Sequence, residues 1–433
     1  IRYLRMSRGL GDVYKRQMLS KLNKGGGALV MSKDGRNLYL LSGGQISKVD
    51  MNSGQLKGMS YNAEFEWKKP EERAYLFDHV WQQVVDKFYD PAIHNIDWAF
   101  YKKEYARFLP YINNNYDFAE MLAELLGELN ASHTGASYKG GGSSSQTAAL
   151  GVFYDETFDG DGLKIKEILE KGPLDLTSGK IKPGMIIRKI NNQEIKKGQD
   201  YFQILEGLSG KRVMLTIYDP STKKEWEEYV KPTTYGNQNG LLYNRWVKQR
   251  QEMVEKLSNG KIGYVHVKSM DSPSFRKVYS EILGKYRNKE AIIVDTRYNG
   301  GGWLHEDLLH LLSGKKYAEF VPRGQFIGED PFTQWNKPSA VLVSESNYSN
   351  AHGFPWAYKE LGLGKVIGMP VPGTMTAVWW ETLMDPSLVF GIPQVGMKDN
   401  QGRILENMQL EPDIKVTVSY THLRAHETCA DLV

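Results

Sequence analysis

Apolar and polar residues change rhythm along this chain, and each rhythm predicts a different kind of structure. From Gly26 to Tyr61 short apolar runs alternate with Asp-Gly and Asn-Ser-Gly punctuation, which predicts hairpin strands over 28–31, 37–41 and 46–49. A meander of that size is about one propeller blade and cannot bury both of its faces, so 18–61 reads as a blade remnant parted from its neighbours. At Glu71 the period becomes helical: Ala74, Phe77, Trp81, Val84, Val85 and Phe88 fall on one face, and Tyr89-Asp90-Pro91 ends the helix. Asp97 is placed to cap a second helix that Pro110 stops. Asp117, with Glu120 three residues on, is placed to start a third, whose stripe is Phe118, Met121, Leu122, Leu125, Leu126 and Leu129. Its exit loop presents Ser132-His133-Thr134-Gly135, and a Gly/Ser-rich linker covers 139–149.

Beyond the linker the period is that of strands, over 151–155, 163–169, 185–190, 212–218 and 225–231, with a helix near 199–208. From Asn239 helices and strands alternate. Helices are expected up to Leu257, over 274–286 and over 351–363, and strands over 262–267, 291–295, 339–343, 366–367, 379–383, 388–390 and 414–418. Alternation of this kind implies an α/β layer with much of its sheet parallel, whose sites form at the carboxyl ends of the strands.

Composition narrows the functional classes. The 433 residues allow about two to four domains, and 41% hydrophobic content suffices for real cores. No apolar run approaches the roughly 18 residues of a membrane helix, so no membrane partner is expected. Both ends, 1–17 and 419–433, lack usable periodicity and read as non-native tails, which leaves the native N-terminus out of sight. The net charge of +4 collects in 1–17, where five Lys/Arg face one Asp, and the rest is close to neutral. With no basic run interleaved with aromatics, a nucleic-acid partner is not expected. The single cysteine, Cys429, lies in the second tail, so disulfides, thiolate metal sites and a cysteine nucleophile are not expected.

Candidate chemistry gathers at turns. Ser349 stands between a predicted strand and a predicted helix, where it either caps the helix or acts as a nucleophile at the helix's positive end. Asn299-Gly300-Gly301-Gly302 also follows a strand and precedes a helix. It lacks the Lys-Ser/Thr of a phosphate loop, which leaves an oxyanion hole or a plain turn. His305 and His310 are five apart, about 140° out of register on a helix, so neither a metal site nor any other cofactor is expected. As a base for Ser349, His352 lies one turn away on the same segment, whereas His133 arrives from a separate one, the commoner arrangement. Glu406, taken alone, is a solvated strand residue.

The segments Glu128 to Gly135, Val294 to Gly302, Ser346 to Gly353 and Leu405 to Asp413, preceded by Phe88-Tyr89-Asp90-Pro91, His94 and Asp97-Trp98, together resemble the tricorn protease family in order and approximate spacing. Residues 150–232 also resemble a PDZ domain, with Ala149-Leu150-Gly151-Val152 in place of its carboxylate-binding loop. The resemblance implies a multidomain α/β and β fold. Its parts are the blade remnant (18–61), a helical core domain (62–138), a PDZ-like β domain (150–235) and an α/β sandwich catalytic domain (236–418). It implies a serine endopeptidase in which Ser349 is nucleophile, His133 general base, Ser132 the partner of the imidazole, and Glu406 the group that orients Ser132. Gly302 and Asn350, with Gly301 as the alternative glycine, would supply the oxyanion hole from their backbones, and Leu150, Gly151 and Val152 would hold a peptide end. The implied substrate is a peptide or unfolded polypeptide, the implied assembly a homo-oligomer, a hexamer, and the implied compartment the cytoplasm, with the periplasm as alternative. Two departures stand out: the family usually has Asp where this chain has Asn350, and most of its propeller region has no counterpart here. The rival readings are a carboxyl-terminal processing-like peptidase, whose base lysine has no counterpart in 371–378, and a non-catalytic PDZ-centred binding protein.

Overall fold

The computed structural model describes residues 4–6, 17–20, 27–62, 66, 68–140, 146–177 and 179–417. The chain divides after Lys69 into two compact units. Most of the expected non-native tail at 1–17, and all of that at 419–433, lies outside the described residues.

The first unit contains a four-stranded antiparallel meander of β1 (Ala28–Met31), β2 (Asn37–Ser42), β3 (Gln45–Asp50) and β4 (Leu56–Met59). Its fourth strand escaped the sequence pattern because Leu56-Lys57-Gly58-Met59 is exposed throughout. Among the described residues of this unit Leu38, Leu40, Val49 and Met51 form the buried cluster, a small one-sided core.

The second unit opens with α1 (Lys69–Lys87), α2 (Trp98–Ala106) and α3 (Asn115–Gly127). The buried face of α1 is Arg73, Leu76, Phe77, Val80 and Val84, while Ala74 and Val85 are exposed, so the stripe is rotated from the one expected. Asp97 caps α2 as expected, accepting the Phe100 N–H. The cap of α3 is Asn114 rather than Asp117: Asn114 accepts the Asp117 N–H at 2.9 Å, which places Asp117 inside the first turn.

A strand β5 (Gly135–Tyr138) leaves the loop after α3 and pairs with a distant strand, described below. After β6 (Ala148–Ala149) comes an antiparallel sheet of β7 (Val152–Tyr154), β8 (Leu163–Ile168), β9 (Ile186–Ile190), β10 (Val213–Asp219) and β11 (Lys224–Val230), with β7 at its edge. The helix expected near 199–208 is a single turn, α4 (Phe202–Leu205). β12 (Thr233–Thr234) pairs with β6 and runs directly into α5 (Tyr235–Leu257).

The rest is a parallel five-stranded sheet of β13 (Ile262–His266), β14 (Ala291–Asp295), β15 (Ser339–Val343), β16 (Lys365–Gly368) and β19 (Ile414–Lys415). It packs against α6 (Ser272–Ser280), α7 (His305–Leu312) and α8 (Asn350–Glu360) around a core that includes Val265, Val294, Val341, Leu308 and Phe354. Between β16 and β19 the chain makes β17 (Thr376–Thr382) and β18 (Leu388–Gly396), an antiparallel pair that β5 extends to three strands. The core beneath α1 and α3 is closed by Leu383, Leu388, Phe390 and Ile392. The helical segment is therefore joined to the α/β layer by a shared sheet and a shared core, and this carries Ser132 and His133 to the same side as α8. Among the described residues no helix is long and apolar enough to cross a membrane.

Candidate active site

Ser349 joins β15 to α8 with φ 57° and ψ −126°, a conformation that a residue with a side chain holds only when its surroundings impose it. Its hydroxyl makes no capping bond to α8, which removes the cap as the reason for a serine here. The surroundings hold the turn from several directions. Tyr348 N–H donates to Asn299 O at 3.0 Å, and Ser349 N–H donates to Thr374 Oγ1 at 2.9 Å. Buried Asn347 accepts the Ser344 N–H and donates to Thr296 Oγ1 and Ala351 O. A serine on a sharp strand-to-helix turn exposes its oxygen beside the first, unbonded N–H groups of the helix.

The glycine loop lies directly against this turn. Asp295, fully buried, is held by the Tyr264 hydroxyl at 2.6 Å and by Arg297 at 2.6 Å, and it fixes the end of β14 where the loop begins. Asn299 donates to Val267 O and accepts the Gly301 N–H at 2.8 Å. Gly301 has φ +96°, and a Cβ there would stand 2.6 Å from Ser349 Cβ and 3.1 Å from Ser349 Oγ, so only glycine fits. With Gly301 N–H bonded to Asn299, the exposed Gly300 and Gly302 are the loop glycines whose N–H groups have no partner among the described residues, and Gly302 is the one nearer the start of α7. On the other side is Asn350, the first residue of α8. Its side chain accepts the Leu304 and His305 N–H groups at 2.8 and 3.0 Å, and its amide donates to His305 Nδ1 at 2.8 Å. Asn350 thus caps α7, whose own preceding residue Leu304 offers no capping side chain.

His133 has φ 63° and reaches the turn from the α3 exit loop. Its backbone N–H donates to the Tyr348 hydroxyl at 2.7 Å, and its ring packs on Tyr348 with centroids 4.8 Å apart. Tyr348 directly precedes Ser349, so imidazole and serine are keyed to one another through it. Nδ1 lies 2.8 Å from Ser132 Oγ and 3.0 Å from Thr376 Oγ1, and these two oxygens are 3.1 Å apart. Both bonds lie at Nδ1, leaving Nε2 as the nitrogen for a proton exchange. Burial holds the imidazole pKa below its ordinary value.

Glu406 is buried, and its Oε1 accepts the Ser132 backbone N–H at 2.5 Å. The Ser132 hydroxyl lies on His133 and Thr376, so the contact of Glu406 with Ser132 is made chiefly at the backbone N–H. Burial pushes the Glu406 pKa up, while its hydrogen bonds with Ser132 pull against that. Next to it, Asn407 Nδ2 donates to Asn130 O at 2.8 Å, and Asn407 N–H donates to Gly373 O at 2.8 Å. Behind the loop, His94 Nδ1 meets Leu129 O at 2.9 Å, fixing the exit of α3.

Comparison with known proteins accords with this layout. Residues 261–416 match the model of peptidase family S41, and 69–127 match that of the tricorn protease C1 domain. The chain thus carries a peptidase family S41 region and a tricorn C1 region, and is similar to the tricorn proteases. It is 24% identical over 420 residues to a putative tricorn-like protease C-terminal subunit of Sulfurisphaera tokodaii, covering 91% of this chain and 46% of that one. It is 23% identical over 359 residues to the tricorn protease of Thermoplasma acidophilum, covering 80% of this chain and 33% of that one. A crystal structure of the tricorn protease superposes with a TM-score of 0.78 at 19% identity, over 93% of this chain and 40% of the other, so the two share a fold. The chain spans less than half the length of these curated relatives.

Within this tricorn-like chain the remaining candidates separate clearly. His352 is fully buried on α8, where its Nδ1 accepts the Thr374 N–H at 3.3 Å and burial pushes its pKa down to about 4. That places it under the turn as a support. His305 is spent on Asn350, and among the described residues no cluster of three potential metal ligands occurs. In the 150–235 region Gly151 N–H is already bonded to Gln238 Oε1 at 3.1 Å. Thr374, Thr376, Tyr348 and Gln238 were not visible from sequence. Threonine two residues apart at a strand start is routine, and their partners lie up to 244 residues away.

Proposed function

We propose that this chain is a serine endopeptidase that hydrolyses peptide bonds in oligopeptides or unfolded polypeptides. The observation that carries the reading is the joint geometry of Ser349 and His133. A serine held at φ 57° on a strand-to-helix turn abuts a glycine loop, and a histidine from another segment is bonded to the residue before it.

In this mechanism Ser349 Oγ attacks the scissile carbonyl carbon while His133 Nε2 takes the hydroxyl proton. The imidazolium so formed keeps its Nδ1–H on the hydroxyls of Ser132 and Thr376, with the Glu406 carboxylate behind Ser132 favouring the positive charge. The carbonyl oxygen, now an oxyanion, is received by the N–H groups of Gly302 and Asn350 at the positive end of α8. Collapse expels the amine, which takes the proton from His133. Water then repeats the sequence on the acyl-enzyme and releases Ser349. By resemblance to the tricorn proteases, the same proposal takes in a homo-oligomeric assembly, a hexamer, and a cytoplasmic setting. The PDZ-like reading of 150–235 and the blade reading of 18–61 belong to the same proposal.

The test uses the full chain and fluorogenic peptides with basic, hydrophobic and acidic residues before the scissile bond, alongside labelling by a fluorophosphonate. Cleavage and labelling that both vanish in Ser349→Ala, with cleavage also lost in His133→Ala, are the expected result. Undiminished cleavage by Ser349→Ala would sink the proposal.

A further inference from the structure

A cleft of about 670 Å³ runs along the outer side of β7, away from the α/β layer's glycine loop. Asp155 N–H donates to Lys164 O in β8 and Gly151 C=O accepts the N–H of Leu169 just beyond it, so alternation turns the main-chain groups of Val152 and Tyr154 outward into the cleft. β7 is the last strand of its sheet, and those groups form an open edge to which an extended peptide can add. The facing wall is apolar, with Tyr201 and Leu205 at α4.

A cleft of this form commonly receives a chain terminus, its carboxylate resting on the N–H groups of the loop before the strand. Here that place is filled from within. Gln238, on the first turns of α5, is itself buried and puts Oε1 3.1 Å from Gly151 N, where a carboxylate oxygen would sit. It cannot swing away freely, because Thr233 and Thr234 pair with Ala149 and Ala148, and Thr234 Oγ1 caps α5 by accepting the Asn237 N–H. Three of the four lysines lining the cleft are already paired, Lys164 with Asp155, Lys196 with Glu194 and Lys197 with Asp159, and the fourth, Lys166, is exposed on β8.

We propose that this cleft binds an internal, apolar, extended segment of an unfolded polypeptide as an added strand on β7, and that Gln238 is a built-in cap that keeps free carboxyl termini off the Gly151 loop. The segment is recognised by its backbone and alternate side chains, so the chain holds long polypeptides by their middles. The proposal is independent of the chemistry at Ser349.

The Ser349→Ala chain, which cannot turn the probe over, is titrated with a fluorescein-labelled decapeptide of alternating Val and Thr, made once with a free carboxyl end and once amidated. Hydrogen exchange of the 150–156 amides locates the bound peptide. Both forms are expected to bind within about twofold of each other and to protect Val152 and Tyr154, because neither end is read. In Gln238→Ala the free acid gains about tenfold over the amide, and in Gln238→Glu it falls below the amide through charge repulsion. A tenfold preference of the unaltered cleft for the free acid, absence of protection at 150–156 with either peptide, or an acid-to-amide ratio indifferent to both Gln238 variants would each overturn the proposal.

Discussion

Thr376 Oγ1 stands 3.0 Å from His133 Nδ1, sharing that nitrogen with Ser132 Oγ at 2.8 Å. The imidazole therefore leans on two hydroxyls rather than on a carboxylate. Thr376→Val should lower kcat/KM by about tenfold, the worth of one hydrogen bond to a group that becomes charged in the transition state. Thr376→Ser should restore most of it. Equal kcat/KM in the valine variant would remove Thr376 from the arrangement.

Gly301 leaves no room for a side chain beside Ser349, with φ +96° and an added Cβ 2.6 Å from Ser349 Cβ. Gly301→Ala should push the nucleophile turn aside, cut kcat by about a hundredfold and destabilise the fold by about 1–3 kcal/mol. Steady-state kinetics with thermal unfolding would show both effects.

Glu406 is a buried carboxyl whose pKa burial raises. A group with a raised folded pKa contributes stability that is complete below its unfolded value, 4.5, and lost as pH rises through the folded one. Glu406→Gln keeps an acceptor for Ser132 N–H and discards the charge. Its stability at pH 7 should equal or exceed that of the parent, while kcat/KM falls by roughly tenfold to a hundredfold as imidazolium support is lost. A stable variant of full activity would show that the charge has no catalytic part.

Histidine titration should appear twice. Burial lowers the His133 pKa, so the acid limb of kcat/KM should lie below pH 6.5. His352 titrates near 4 in the fold, so its contribution to stability is complete above about pH 6.5 and lost as pH falls towards about 4. Urea unfolding from pH 7 to 4 should reveal that loss, and His352→Gln should flatten the profile.

Asn350 has two separable duties. Asn350→Ala keeps the backbone N–H and removes the cap of α7, and should cost about 0.5–2 kcal/mol in unfolding free energy. Asn350→Asp retains the two accepted N–H bonds but faces His305 Nδ1 with an acceptor, so the His305 pKa should rise from its lowered value, which proton NMR can follow. An unmoved His305 titration would count against the contact.

Strongly periodic parts of the fold were legible from the chain. The stripe of α3 is buried residue for residue, and β14 and β15 begin and end where the pattern places them, because short apolar runs between turn residues leave little choice. The α1 face was misread since Arg73 sits in its buried row, held by Ile112 O, and no periodicity count reckons with a buried arginine. At the site, the strand-to-helix turns marked Ser349 and the glycine loop. What the sequence could not show were the supports, since Thr374, Thr376 and Tyr348 matter only through partners brought near by folding. The same holds for Gln238, whose amide replaces an expected ligand at Gly151.

The bond from Ser132 N–H to Glu406 spans 274 residues, and β5 waits for β18 to arrive before it has a partner. During synthesis the α3 exit loop emerges long before the strand that completes its support, and non-local closure of this kind is slow. Ser132 and His133 therefore stay without Glu406 and β18 until more than 250 further residues have left the tunnel.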